Sequence, residues 1–177
     1  MALAAARALL EHGCPALSLL DLPSTLSSST TAISSLQSDF ITAKIHTYPV
    51  DVTDSTSVTA SFAVATKDMG SLDILLNFAG VVGCTHALAM TAEQWRRTLD
   101  VNTTGSFLCA QAAAEIMKRD QNAEVQERQG KRRGGSVVLT ASISAHRVNF
   151  PQPQVAYNVS KAGVVALAKS LGAEWAR

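Results

Sequence analysis

At 177 residues the chain is one domain's worth of sequence, and 47% apolar against 16% charged residues supplies a sizeable core. Net charge is +1 with no strongly basic face or tail, which argues against nucleic acid or an anionic membrane as the main partner. No apolar run approaches the roughly 18 residues of a membrane span. Three cysteines, Cys14, Cys84 and Cys109, lack metal-ligand spacing, and their odd number closes no disulfide framework; a reducing, cytoplasmic setting is expected.

The opening residues resemble a targeting peptide only in being apolar. No basic residues precede the apolar part, and Glu11 interrupts it. A helix over residues 2–12, stopped by Gly13, is expected instead. Residues 16–21, Ala-Leu-Ser-Leu-Leu-Asp, read as a short buried strand ending on an acid. Residues 24–38 are rich in Ser and Thr; a mobile, low-complexity loop is expected over 24–30.

Residues 44–50 alternate like a strand, and Asp51-Val52-Thr53-Asp54 caps the next element. Val58, Phe62, Ala65 and Met69 then recur at helical spacing, with Gly70 as the stop. Residues 73–77 form an apolar strand running into Phe78-Ala79-Gly80. Residues 91–117 are predicted helical in two pieces that meet near 102–105. The charged stretch 118–135 reads as a solvated loop, 136–140 as a strand, and 155–171 as the final helix.

Strands alternate with helices, and the strands are apolar and unpunctuated, as expected when both faces are covered. An α/β fold with a doubly wound parallel sheet, in a single domain over 1–177, is the expected architecture. Such sheets bind ligands at the carboxyl ends of their strands. Asp21, Asp51, Asn77 to Gly80 and Thr140 to Ser144 all fall at such ends.

Tyr157 and Lys161 are four residues apart, so a helix projects both from one face. A phenol with an ordinary pKa of about 10 is a poor base at neutral pH, and a neighbouring ammonium favours its ionised form. A hydroxyl from Ser142 or Ser144 could hydrogen-bond the oxygen of a reacting alcohol or carbonyl.

In order and spacing, five segments resemble the short-chain dehydrogenase/reductase family. They are Asp51-Val-Thr-Asp54, Leu75-Leu-Asn-Phe-Ala-Gly80, Asp100-Val-Asn-Thr-Thr-Gly-Ser-Phe107, Val138-Leu-Thr-Ala-Ser-Ile-Ser144 and Tyr157-Asn-Val-Ser-Lys-Ala-Gly163. The run from His146 to Tyr157 is similar to fungal members acting on polyols and ketoses of the mannitol, arabinitol and sorbose types. The resemblance implies an NAD(P)-dependent oxidoreductase acting on small alcohols or ketones. Tyr157 would be its acid/base, and Lys161 the cation that supports the tyrosine and holds the nicotinamide ribose. Asn102 would support a proton-relay water at a helix break; a helix-cap role is compatible with that.

The family serine lies three residues before a small residue, which points to Ser142 with Ala145 in the usual glycine place. Ser144 is the rival, 13 residues before the tyrosine. Asn77, Ala79 and Gly80 match the segment beneath the adenosine, although Phe78 replaces a second asparagine. Asp51 and Val52 would flank the adenine, with a loop acid or helix cap as the plain alternative for Asp51. Asp21 would read the adenosine ribose, and a carboxylate there favours NAD over NADP.

The family's first strand and its Thr-Gly-x-x-x-Gly-x-Gly turn have no counterpart in these residues, nor do its last strands and lid. The chain is therefore expected to be the middle of a longer protein of roughly 250 residues. Its Rossmann-like sheet would lack a central strand. Helices 91–117 and 155–171 match the pair through which family members form homo-oligomers. An inactive fragment that pairs with relatives through them is the alternative to an enzyme.

Overall fold

The computed structural model describes residues 1–127 and 134–176, with residues 120–127 by backbone alone. The described chain divides into two compact units, Met1–Asp73 with Ala112–Gly135, and Ile74–Gln111 with Ser136–Arg177.

In the first unit, helix α1 (Ala2–Glu11) ends at Gly13, whose φ of 85° is the left-handed conformation that glycine adopts without steric cost. Strand β1 (Ala16–Asp21), helices α2 (Pro23–Ser28) and α3 (Thr30–Asp39), strand β2 (Lys44–Pro49) and helix α4 (Ser55–Met69) come next. β1 and β2 pair in parallel from Ala16↔Lys44 to Asp21↔Pro49. Ala6, Leu10, Leu36 and Ile45 form the buried cluster of this unit. α4 lies against both strands and buries Val58, Phe62 and Ala65, as its spacing predicts. Asp54 caps it by accepting a 2.8 Å bond from the Thr56 N–H.

The loop expected over 24–30 is instead helical. Pro23 occupies the first turn, where its missing N–H costs nothing. The hydroxyls that suggested disorder bond back to the preceding turn: Ser27 to Pro23 O at 2.9 Å, Ser28 to Thr25 O at 3.0 Å and Thr30 to Ser27 O at 2.8 Å. Ile33 and Leu36 then anchor α3 by burial.

In the second unit, strand β3 (Ile74–Asn77) pairs in parallel with a later strand. Helix α5 (Ala92–Leu99) opens on a capping box, with Thr91 and Gln94 each bonding the other's backbone N–H. A π-helical turn (Asp100–Thr104) joins it to helix α6 (Gly105–Glu127). Strand β4 (Ser136–Leu139) and helix α7 (Val155–Trp175) complete the unit. The β3–β4 register runs from Ile74↔Ser136 to Asn77↔Leu139. α7 touches α5, the π-helical turn and a 3-10 turn at Ile143–Ala145.

The helix extends beyond the expected boundary at 117. Residues 118–127 continue α6 rather than forming the expected loop, in keeping with their content of helix formers. Residues 128–133 of the expected loop lie outside the described residues.

The α/β class with parallel strands holds, but each strand has a single sheet partner among the described residues. The expected covering of both strand faces fails accordingly. β1 is half-buried until the exposed Asp21, and Ile74 and Val138 are each 49% exposed. Among the described residues each strand of such a pair keeps one unpaired edge.

Candidate active site

The carboxyl ends of β3 and β4 are held together by one backbone carbonyl. Asn77 O accepts from the Thr140 N–H at 3.1 Å and from the Thr140 hydroxyl at 2.7 Å. The buried Asn77 side chain donates to Ser106 Oγ at 3.0 Å and accepts from the Ala79 N–H at 3.3 Å. Asn77 thus shapes the turn that delivers Gly80, whatever it does for a ligand.

Asn102 is wholly buried inside the π-helical turn. Its Oδ1 accepts from the Val81 N–H at 2.7 Å, and its Nδ2 donates to Val81 O and Ser160 Oγ, both at 2.9 Å. One carboxamide therefore fastens the loop after β3 to α7. The π turn matters here because it widens the backbone ladder at this point. The two helical pieces expected to meet near 102–105 are joined by this π turn.

Lys161 lies on α7, 3% exposed, and its ammonium donates to Thr140 O at 2.7 Å. Burial pushes this ammonium below the usual lysine range. Gly80 lies against it: a Cβ at Gly80 would stand 3.2 Å from Lys161 Nζ and 3.3 Å from Asn102 Oδ1. Gly80, Asn102, Thr140 and Lys161 therefore form one polar cluster at the strand ends.

Tyr157 is half-buried one turn before Lys161, whose Nζ stands 5.8 Å from the centre of the tyrosine ring. Among the described residues its phenol makes no hydrogen bond to Ser142, Ser144 or Lys161. Ser142 caps the 3-10 turn, accepting from the Ser144 N–H at 3.1 Å and donating to Ser144 Oγ at 3.1 Å. Ser144 is the more buried of the two and also accepts from Asn149 Nδ2 at 2.6 Å.

Asp21, Asp51 and Val52 belong to the first unit. Asp21 ends β1, exposed, with Oδ1 accepting from the Leu22 N–H at 2.8 Å. Asp51 accepts from the Thr53 N–H at 2.9 Å and the Thr53 hydroxyl at 2.7 Å, which hold its carboxyl below the usual range. The helix cap is Asp54, so Asp51 is a loop acid rather than a cap; Val52 is half-buried beside it.

Sequence reasoning assigned no role to Ser160, Ser106, Asn149 or Gln154. Ser160 was legible as the small polar residue before Lys161, on the helical face that meets Asn102. Asn149 and Gln154 bracket the prolines of Asn149-Phe-Pro-Gln-Pro-Gln154, and long amides in such a rigid loop are ready hydrogen-bonding struts. No cluster of three or more metal-ligating side chains occurs among the described residues. No described helix is long and apolar enough to cross a membrane. All three cysteines are free thiols, and burial pushes Cys109 up to about 11.

Asn102, Tyr157 and Lys161 thus lie in one unit of a parallel-stranded α/β framework. The sequence family described as enoyl-(acyl carrier protein) reductase, a short-chain dehydrogenase/reductase grouping, matches residues 1–177. The chain belongs to the short-chain dehydrogenase/reductase family. An NADP-dependent mannitol dehydrogenase of Alternaria alternata is 39% identical over 62% of this chain and 36% of its own length. An NADH-dependent L-xylulose reductase of Ambrosiozyma monospora is 38% identical over 76% of this chain and 46% of its own. The crystal structure of a short-chain type dehydrogenase/reductase from Mycobacterium marinum superposes with a TM-score of 0.81 and 32% identity. The match covers 97% of this chain and 63% of that one. The chain thus spans less than half the length of these curated relatives.

Proposed function

We propose that the chain carries the reaction centre of an NAD(P)-dependent oxidoreductase that interconverts a secondary alcohol, of the polyol class, and its ketone. The observation that carries this reading is the polar cluster at the strand ends, where the buried Asn102 and Lys161 meet Gly80 and Thr140, with Tyr157 one helical turn from the lysine. The polyol class comes from the relatives, a mannitol dehydrogenase and an L-xylulose reductase among them.

The chemistry of these residues suits a nicotinamide cofactor, because the Lys161 ammonium at the strand ends is a donor for ribose hydroxyls and Gly80, without a side chain, lets the backbone pack closely beside it. When bound, the cofactor accepts or returns the hydride of the alcohol carbon. Tyr157 exchanges the hydroxyl proton as acid/base, and Ser142 hydrogen-bonds the same oxygen. Lys161 holds the nicotinamide ribose and keeps a positive charge beside the phenol. Asn102 fixes the loop at Val81 and supports the proton path. Asn77, Ala79 and Gly80 bound the adenosine side, with Asp51 and Val52 at the adenine. Asp21 takes the adenosine ribose hydroxyls, so NAD is favoured over NADP. Homo-oligomers form through α5–α6 and α7.

The test is fluorescence titration with NADH and NADPH, and then turnover of mannitol and L-xylulose. Saturable binding with NADH preferred, and turnover abolished by Tyr157→Phe with binding retained, is the expected result. If neither the chain nor a version joined to a glycine-rich turn binds a nicotinamide cofactor or oxidises polyols, the reading is wrong.

A further inference from the structure

The segment between the serine pair and α7 is tied down by side-chain amides that the proposed reaction leaves unused. Asn149 Nδ2 donates both its protons, one to Ser144 Oγ at 2.6 Å and one to Gln154 Oε1 at 2.7 Å. Gln154, 8% exposed, donates from Nε2 to Cys84 Sγ at 3.2 Å. The neighbouring backbone is fixed as well, with the Thr85 N–H donating to Pro153 O at 2.9 Å.

These bonds dictate which way each amide faces. With Gln154 Nε2 committed to the Cys84 sulfur, its carbonyl oxygen faces Asn149. Turning Asn149 over would set two carbonyl oxygens against each other, so its nitrogen faces inward. As the amides are oriented here, Ser144 Oγ receives a proton from Asn149. Its own hydroxyl proton can then be given away without leaving a buried oxygen unsatisfied.

We propose that Asn149, oriented by Gln154, is a positioning residue that lets Ser144 donate to Ser142 and so frees the Ser142 proton for the substrate oxygen. This rests on the reading of Ser142 as the hydroxyl that meets substrate. In the structure as it stands Ser142 donates to Ser144 at 3.1 Å. When a substrate oxygen arrives, the two hydroxyls rotate together: Ser142 turns its proton to substrate and Ser144 gives its proton to Ser142. Successive donors in one direction polarise each other, which strengthens the last bond in the row. Without Asn149 the buried Ser144 oxygen depends on Ser142 for its proton, and the substrate must compete for it. The same logic assigns the two serines different jobs: Ser142 contacts substrate, and Ser144 supports it.

Two measurements test this. In the first, exchange of the Asn149 side-chain amide protons with water is tracked by ¹⁵N NMR, the signals being assigned by their loss in Asn149→Ala. Ser144→Ala and Gln154→Leu are each expected to accelerate exchange about tenfold, the equivalent of one lost hydrogen bond. Unchanged exchange in both overturns the arrangement, whether or not the chain turns over substrate. In the second, Asn149→Ala and Asn149→Asp are expected to lower kcat about tenfold, with NADH affinity and KM changed less than twofold. Adding Ser142→Ala to either should then cost less than it does in the wild type, because the two residues act through one bond. A full kcat in both Asn149 variants, with the exchange result as expected, overturns the positioning role alone. Turnover that survives Ser142→Ala overturns the reading of Ser142 and the role of Asn149 with it.

Discussion

Replacing Asn102 tests whether one side chain holds the loop after β3 to α7. Asn102→Ala removes three hydrogen bonds of 2.7–2.9 Å from a residue with no exposed surface. At about 1 kcal/mol net for each bond, with a small further term for the space left, the loss is about 3–4 kcal/mol. For a chain of this length that lowers Tm by about 10 °C. Asn102→Asp separates the polarity of the site from its volume. The carboxylate keeps an acceptor for the Val81 N–H but turns an oxygen towards Val81 O and loses the donor to Ser160. Its pKa in the folded chain is raised, so the unfolded state binds fewer protons as pH rises above about 4, and stability falls with pH. The aspartate variant is therefore expected to be the less stable of the two at pH 7 and to regain stability towards pH 4. Urea unfolding monitored by circular dichroism at both values reads the difference. An alanine variant that loses less than about 1 kcal/mol, within the range of an ordinary surface substitution, would show that the carboxamide does not act as a strut.

The close approach of Gly80 predicts that Gly80→Ala forces Lys161 or Asn102 to shift by a few tenths of an ångström, because the new Cβ would lie 3.2 Å and 3.3 Å from their polar atoms. A loss of about 1–2 kcal/mol is expected from such crowding; an unchanged Tm would mean the cluster yields freely. At high pH Tyr48 makes the first unit sensitive. Burial and the bond to Asp68, 3.0 Å from its hydroxyl, push Tyr48 up to about 12 from 10.0. The unfolded chain therefore loses this proton first, and stability should fall as pH rises between 10 and 12. Tyr48→Phe should be less stable than wild type at about pH 8, through loss of the Asp68 bond, and should lose less on going to about pH 11. Parallel slopes for the two proteins over that window would refute the assignment.

The elements that sequence reading placed well were those with strong local rules. Gly13 and Gly70 end their helices at positive φ, and Thr91 with Gln94 starts α5 by a capping box. The interruption near Asn102 was legible too, from the Asn-Thr-Thr-Gly run in the midst of a helical pattern. Its form was not, because a π turn is chosen by what the widened backbone meets, here Val81 and Ser160. The misread segments share one cause. Serine-rich residues 24–30 and charged residues 118–127 lack an apolar pattern, and without it local composition cannot distinguish a loop from a helix whose polar groups bond back or face water.

By itself the sequence determined the order of the strands and of most helices, the family, and the Tyr157–Lys161 pair one helical turn apart. These depend on spacing along the chain, since a four-residue step or a glycine stop acts within a single turn of backbone. Tertiary structure decided which polar groups meet. Asn102 was expected to support a proton path; the fold also makes its carboxamide a tie between Val81 and Ser160. Ser142 and Ser144 were rivals on spacing; Ser144 is the more buried and accepts from Asn149, whereas Ser142 caps the 3-10 turn. Such pairings join residues far apart in the chain: Asn102 and Ser160 are 58 positions apart. Which donor finds which acceptor across that distance depends on how α7 packs on the π turn, and no local pattern in the chain encodes it.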